Sequence, residues 1–86
     1  MSRIEKLYEK MKRKPTPTDI TFDEIHRLLK AYGFIQKKPS SGSHYVYVHP
    51  ELEGYWTIAK NNPMKKGYIR ETIRAIDMVK ELYGGI

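Results

Sequence analysis

Residues 34–60 read FIQKKPSSGSHYVYVHPELEGYWTIAK, and the alternation inside this stretch decides the fold. After Gly33 the period becomes strand-like: "FIQKK" (34–38), "HYVYVH" (44–49) with its alternating Tyr/Val run, and "YWTIAK" (55–60) read as strands, and the turn-forming runs "PSSGS" and "PELEG" separate them. Three short strands with brief connections predict an antiparallel meander. One face of such a sheet must be covered, and flanking helices are the available cover. In the second strand His44, Val46 and Val48 share one face, and Tyr45, Tyr47 and His49 share the other. Alternation leaves open which face meets the helices.

Outward from the strands the period becomes helical. On the N-terminal side Thr21 and Glu24 have capping-box spacing, and Ile20 before the cap is placed to staple against Ile25. Phe22, Ile25, Leu28, Leu29 and Tyr32 form one apolar stripe. Gly33 is placed to close the helix in a left-handed conformation, with Phe34 folding back on its last turn. His26 lies off the stripe and reads as an exposed helical histidine without a special role. On the C-terminal side "NNPMKKG" is a loop, and Ile69, Ile73, Ile76, Val79 and Leu82 predict a final amphipathic helix from Gly67, ending at Gly84 and Gly85. Further upstream, Ser2 and Glu5 again have capping-box spacing, with Ile4, Leu7, Tyr8 and Met11 on one face of a short first helix. Pro15 and Pro17 then impose a stiff connector. The expected organisation is an N-terminal helical extension over residues 1–14, a linker over 15–19 and a main domain over 20–86.

The 86 residues suffice for one small domain with a single core, and 40% hydrophobic and 12% aromatic content can supply it. There is no cysteine, which excludes disulfides and thiolate metal sites. No stretch is long enough to cross a membrane, and no apolar signal core follows "MSRIEKLYEK", so the expected location is the cytoplasm. The formal charge is +6. Such an excess suits a polyanion: RNA, DNA, anionic lipid or an acidic protein. It is gathered in two places, at Arg3, Lys6, Lys10, Lys12, Arg13 and Lys14 near the N-terminus and at Lys60, Lys65, Lys66, Arg70 and Arg74 later on.

Few catalytic chemistries fit these residues. His44 and His49 are five apart on one strand and point to opposite faces, so they do not share a metal ion, while Glu51 and Glu53 read as exposed turn acids. No Gly-rich phosphate loop occurs, and Ser43 lacks the partners of an acyl-transfer nucleophile. Metal-free RNA cleavage needs a base for the 2′-hydroxyl proton, an acid for the leaving oxygen and cations for the charge that builds on phosphorus. Histidine, with an ordinary pKa of about 6.5, suits either proton role. From the residues alone His44 is open to two readings, a polar position at the mouth of a strand or a proton-transfer group. Tyr45, Tyr47, Tyr55 and Trp56 are similarly open to core packing or to stacking on unpaired bases. His49 reads as a structural residue at a strand end.

Three segments, "LLKAYGF" (28–34), "GSHYVYVHP" (42–50) and "KKGYIRETI" (65–73), resemble in order and spacing the HicA family of bacterial toxins, the small ribonucleases of HicA/HicB toxin-antitoxin pairs. The resemblance runs from about Ile20 to Tyr83. It implies an α+β fold similar to a double-stranded RNA-binding domain, α-β-β-β-α, with a three-stranded antiparallel sheet packed on two helices; the first helix would be an extra. It also implies metal-independent cleavage of mRNA without a cofactor, and an essential histidine after Gly-Ser, which is His44. Gly42 and Ser43 match the turn before it, and Lys65, Lys66, Gly67 and Arg70 match the basic start of the last helix. A HicB-type antitoxin, a folded acidic partner, is implied as well. The chain departs from the family where many members carry a second histidine, here Tyr45, and in the loops "PELEG" and "NNP".

On this reading His44 is the general base or acid, and Lys60, Lys65, Lys66 and Arg70 contact phosphates. Ser43, Tyr45 and Tyr47 complete the RNA-binding set. A non-catalytic RNA-binding module of the same fold is the alternative, and a small domain that meets only an acidic protein is a third.

Overall fold

Two capping boxes open the first two helices. The computed structural model describes residues 2–42 and 44–83. In α1 (Arg3–Lys12) the Ser2 hydroxyl accepts from the Glu5 amide at 3.1 Å, while the Glu5 carboxylate accepts from the Ser2 amide. In α2 (Phe22–Ala31) Thr21 and Glu24 do the same at 3.2 and 2.9 Å. Each box satisfies two amides that a helix start leaves without partners. Ile20 and Ile25, on either side of the second box, are both fully buried in the core.

The end of α2 is also locally determined. Gly33 takes φ +91°, which lets its amide reach the Lys30 carbonyl at 3.1 Å and the Phe34 amide reach the Leu29 carbonyl at 3.0 Å. Phe34 is thereby turned into the core, where its ring meets Trp56 and His49 edge-on.

The strands are β1 (Ile35–Ser41), β2 (His44–Val48) and β3 (Trp56–Ala59), antiparallel and in the order β1-β2-β3. Ile35, Gln36 and Lys37 pair with Val48, Tyr47 and Val46; the register then shifts, and pairing resumes at Ser41 opposite His44. The first strand thus extends beyond the expected 34–38 into the run expected to be a turn. Pro39, which has no amide to donate, lies within the irregular part. Tyr45 pairs with Ile58 and Tyr47 with Trp56, and these residues with His49 form the face turned to the helices. The face that carries His44, Val46 and Val48 is the opposite one.

The final helix, α3 (Lys66–Leu82), buries Ile69, Thr72, Ile73, Ala75, Ile76 and Val79. Leu82, expected on the same stripe, is 49% exposed because the helix has passed the end of the core by then. The expected stop at Gly84 and Gly85 lies outside the described residues. α2 packs against β1 and α3 against β3, and α1 packs on both helices. The layers are therefore sheet, helix pair and α1, an α+β fold in the order α-β-β-β-α with one additional N-terminal helix. That helix is built into the core, since Tyr8 and Met11 are 4% and 2% exposed. The Tyr8 hydroxyl donates to Asp77 on α3, and the Lys80 ammonium stands 4.2 Å from the Tyr8 ring centre.

The loop between β3 and α3 is tied back to the start of α2. Asn62 accepts from the Phe22 amide at 2.9 Å, and the Met64 amide donates to the Ile20 carbonyl at 2.7 Å. The "NNP" sequence thus satisfies one of the amides left free at the α2 N-terminus. Among the described residues no helix is long and apolar enough to cross a membrane.

Candidate functional site

His44 opens β2 and is exposed. It follows a turn in which Gly42 takes φ +43°, a region that favours glycine. Its backbone lies between Ser41 of β1 and Ala59 of β3, and Lys60, also exposed, comes directly after Ala59. The imidazole therefore stands at one end of the central strand, on the face away from the helices. Ser43 lies outside the described residues.

Tyr45, the next residue, points to the helix side. It is half-buried, with its ring centre 5.1 Å from that of Phe22, and it lines a cavity of about 330 Å³ with Asp23, His26, Gln36, Lys60 and Asn62. The Lys60 ammonium stands 5.8 Å from the Phe22 ring centre. Tyr45 and Lys60 are thus brought to one polar depression at the same end of the sheet as His44. RNA engaged by Tyr45 and His44 together would have to turn around that end.

Tyr47 requires a correction. It is 0% exposed, so its ring offers no face to a base, and it is removed from the expected RNA-binding set. Its hydroxyl accepts from Gln36 Nε2 at 3.2 Å and meets His26 Nδ1 at 2.8 Å. Burial pushes its phenol up to about 12.

The reading of His26 changes with it. This side chain is partly buried, lies 6.2 Å centre to centre from the Phe22 ring in a stacked arrangement, and is held by the Tyr47 hydroxyl. Nothing in the helical spacing marks it, because its polar partner lies on another element. His49 is the structural residue expected. Its Nδ1 accepts from the Glu51 amide and its Nε2 donates to the Tyr32 carbonyl, both at 3.1 Å, an arrangement that fits the neutral Nε2–H tautomer.

The remaining basic residues do not converge on one point. Lys65 caps α3 without a side-chain hydrogen bond, Lys66 is its first residue, and no acid lies in its first turn. Lys65 also borders a groove of about 560 Å³ with Trp56, Tyr68 and Tyr55, the last 69% exposed. Arg70 lies one turn further, on a different depression beside the end of α1. Among the described residues no group of three or more His, Asp or Glu side chains has the placement of a metal cluster.

The model of the family described as the HicA toxin of bacterial toxin-antitoxin matches residues 22–78, from the first residue of α2 into the last turns of α3. No curated protein and no solved structure gives a significant match.

Proposed function

The chain belongs to the HicA family of bacterial toxin-antitoxin toxins, whose model covers about two thirds of its length, and from this premise we propose that it is an endoribonuclease. It cleaves mRNA without a metal ion, arrests translation, and is neutralised by a HicB-type antitoxin. An mRNA substrate carries with it a cytoplasmic site of action.

The observation that supports this reading most is the position of His44. It is the histidine that follows Gly42-Ser43, it is exposed, and its strand end is bordered by Lys60. As general base it would take the proton of a ribose 2′-hydroxyl. The oxygen then attacks the adjacent phosphorus, and the bond to the 5′ oxygen breaks as that oxygen takes a proton from a lysine or from water. Cations near the phosphate stabilise the charge that develops there.

The start of α3 favours a phosphate as well. Lys65 and Lys66 stand where the partial positive charge of the helix already accumulates, so both are placed unfavourably for helix stability. A bound phosphate would offset both charges while accepting from the free amides of the first turn. Arg70 and Lys60 extend this phosphate-binding set, and Tyr45 is the aromatic residue of the expected set that lines the polar cavity.

Incubating the protein with a labelled single-stranded RNA in EDTA tests the proposal. Cleavage that leaves a 2′,3′-cyclic phosphate is expected. RNA binding without cleavage, at any protein concentration, would replace it with the non-catalytic RNA-binding module.

A further inference from the structure

Parts of the two basic groups that the sequence holds far apart in the chain meet in the fold. A cleft of about 320 Å³ between the C-terminal end of α1 and the adjoining side of α3 is lined by Lys12, Arg13, Lys14, Arg70 and Arg74. Asp77 is the one acid among the described residues that line it. All five cations are exposed. Arg74 has an exposed Glu71 at 3.0 Å, a pairing that contributes little in water.

The cleft is held in shape. α1 is fixed on α3 by the Tyr8 hydroxyl on Asp77 and by buried Met11, and Lys12 and Lys80 both lie over the Tyr8 ring. The cationic end of α1 is thus carried on a packed helix. Like charges one turn apart, such as Arg70 and Arg74, oppose helix stability. Gathered around a concave surface, they also raise the local concentration of anions.

The direction of the charges indicates the ligand. Lys66, Arg70 and Arg74 follow one another at single-turn spacing on α3, a track about 12 Å long at about 1.5 Å per residue. It runs from the phosphate-binding start of α3 to the cleft. A single ligand that meets every position of such a track carries a charge on each of its units. Resting on the ribonuclease reading above, we infer that the cleft is a second contact for the phosphate backbone of single-stranded RNA engaged at His44. Lys12 at the end of α1, with Arg13 and Lys14 just after it, all outside the family match, would supply three of its cations.

The test uses the full chain with His44→Ala, which keeps the RNA intact. Binding of a long unstructured RNA is followed by anisotropy against salt, with and without Arg13→Ala, Lys14→Ala and Arg74→Ala together. Each phosphate contact in single strands contributes about 0.7 to the slope of log K against log salt, so the triple variant should lower the slope by about two. Its affinity at about 0.1 M salt should fall at least about tenfold. The charge-retaining set Arg13→Lys, Lys14→Arg and Arg74→Lys should keep the slope, which separates lost charge from lost structure. An unchanged slope in the triple variant, with RNA still bound, overturns the cleft and leaves the ribonuclease reading standing. An unchanged slope together with loss of binding to an acidic protein partner overturns it in favour of a protein contact. If no RNA binds to any form, both readings fail.

Discussion

One phenolic oxygen joins two helix–sheet partners in this protein. The Tyr47 hydroxyl lies between His26 Nδ1 on α2 and Gln36 Nε2 on β1, within a residue that has no exposed surface. Because it accepts from Gln36, its own proton is available to His26. Tyr47→Phe would keep the ring and leave the imidazole without that partner, a loss expected to cost about 1–3 kcal/mol in urea unfolding. The residue also shows how far single side chains were legible. Strand alternation separated Tyr47 from His44 correctly but carried no sign for which face the helices cover, so a core tyrosine had the same appearance as a base-stacking one. His26 was obscured for a related reason. Off the apolar stripe of its own helix, it looked exposed until a strand brought it a hydroxyl. His44 was different, since Gly42 and Ser43 before it and the order of the flanking segments marked it as the candidate by resemblance to the HicA family, without knowledge of any contact.

At the scale of elements, helix starts and stops were the most legible because their chemistry is local. Ser2 with Glu5, Thr21 with Glu24, and Gly33 with Phe34 each determine a boundary within a few residues of sequence. Strand ends depend on a partner strand, and there the expectation fell short: Pro39 reads as a break, yet β1 shifts register and pairs again at Ser41. The closing of α2 offers a direct check. Gly33 has φ +91°, and a Cβ there would stand 3.1 Å from His49 Nε2, the atom that donates to the Tyr32 carbonyl. Gly33→Ala combines backbone strain with a push on this hydrogen bond, and should lower stability by about 1–3 kcal/mol in the same urea measurement. If the variant were as stable as the parent, neither the left-handed Gly33 nor the His49 hydrogen bond to the Tyr32 carbonyl would contribute to stability as argued.

Across the whole molecule, hydroxyls bind one layer to the next. Tyr47 links the sheet to α2, and Tyr8 links α1 to α3. Both phenols are raised, first by burial, and Tyr8 further by its hydrogen bond to Asp77. In the unfolded chain they ionise near their ordinary value of 10.0. Their contribution to stability is therefore complete below pH 10 and is lost as the pH climbs through the folded values; for Tyr47 alone this is on the order of 2 kcal/mol by about pH 12. Melting temperatures should fall steeply above pH 10, together with phenolate absorbance, and Tyr47→Phe should blunt that fall. The sequence implied the α-β-β-β-α order and an additional helix, but residues 1–14 looked like an extension because two prolines follow them. Only tertiary packing reveals that Tyr8 and Met11 belong to the common core, or that the basic end of α1 adjoins Arg70 and Arg74. The central claim, however, concerns His44. Being exposed at a strand end, it can be replaced by alanine with a change in stability of no more than about 0.5 kcal/mol. Measured on the same labelled RNA in EDTA, the cleavage rate of His44→Ala should drop at least about a hundredfold below that of the parent, with unchanged circular dichroism and melting. A folded His44→Ala protein that cleaves RNA at the parent rate would contradict the assignment.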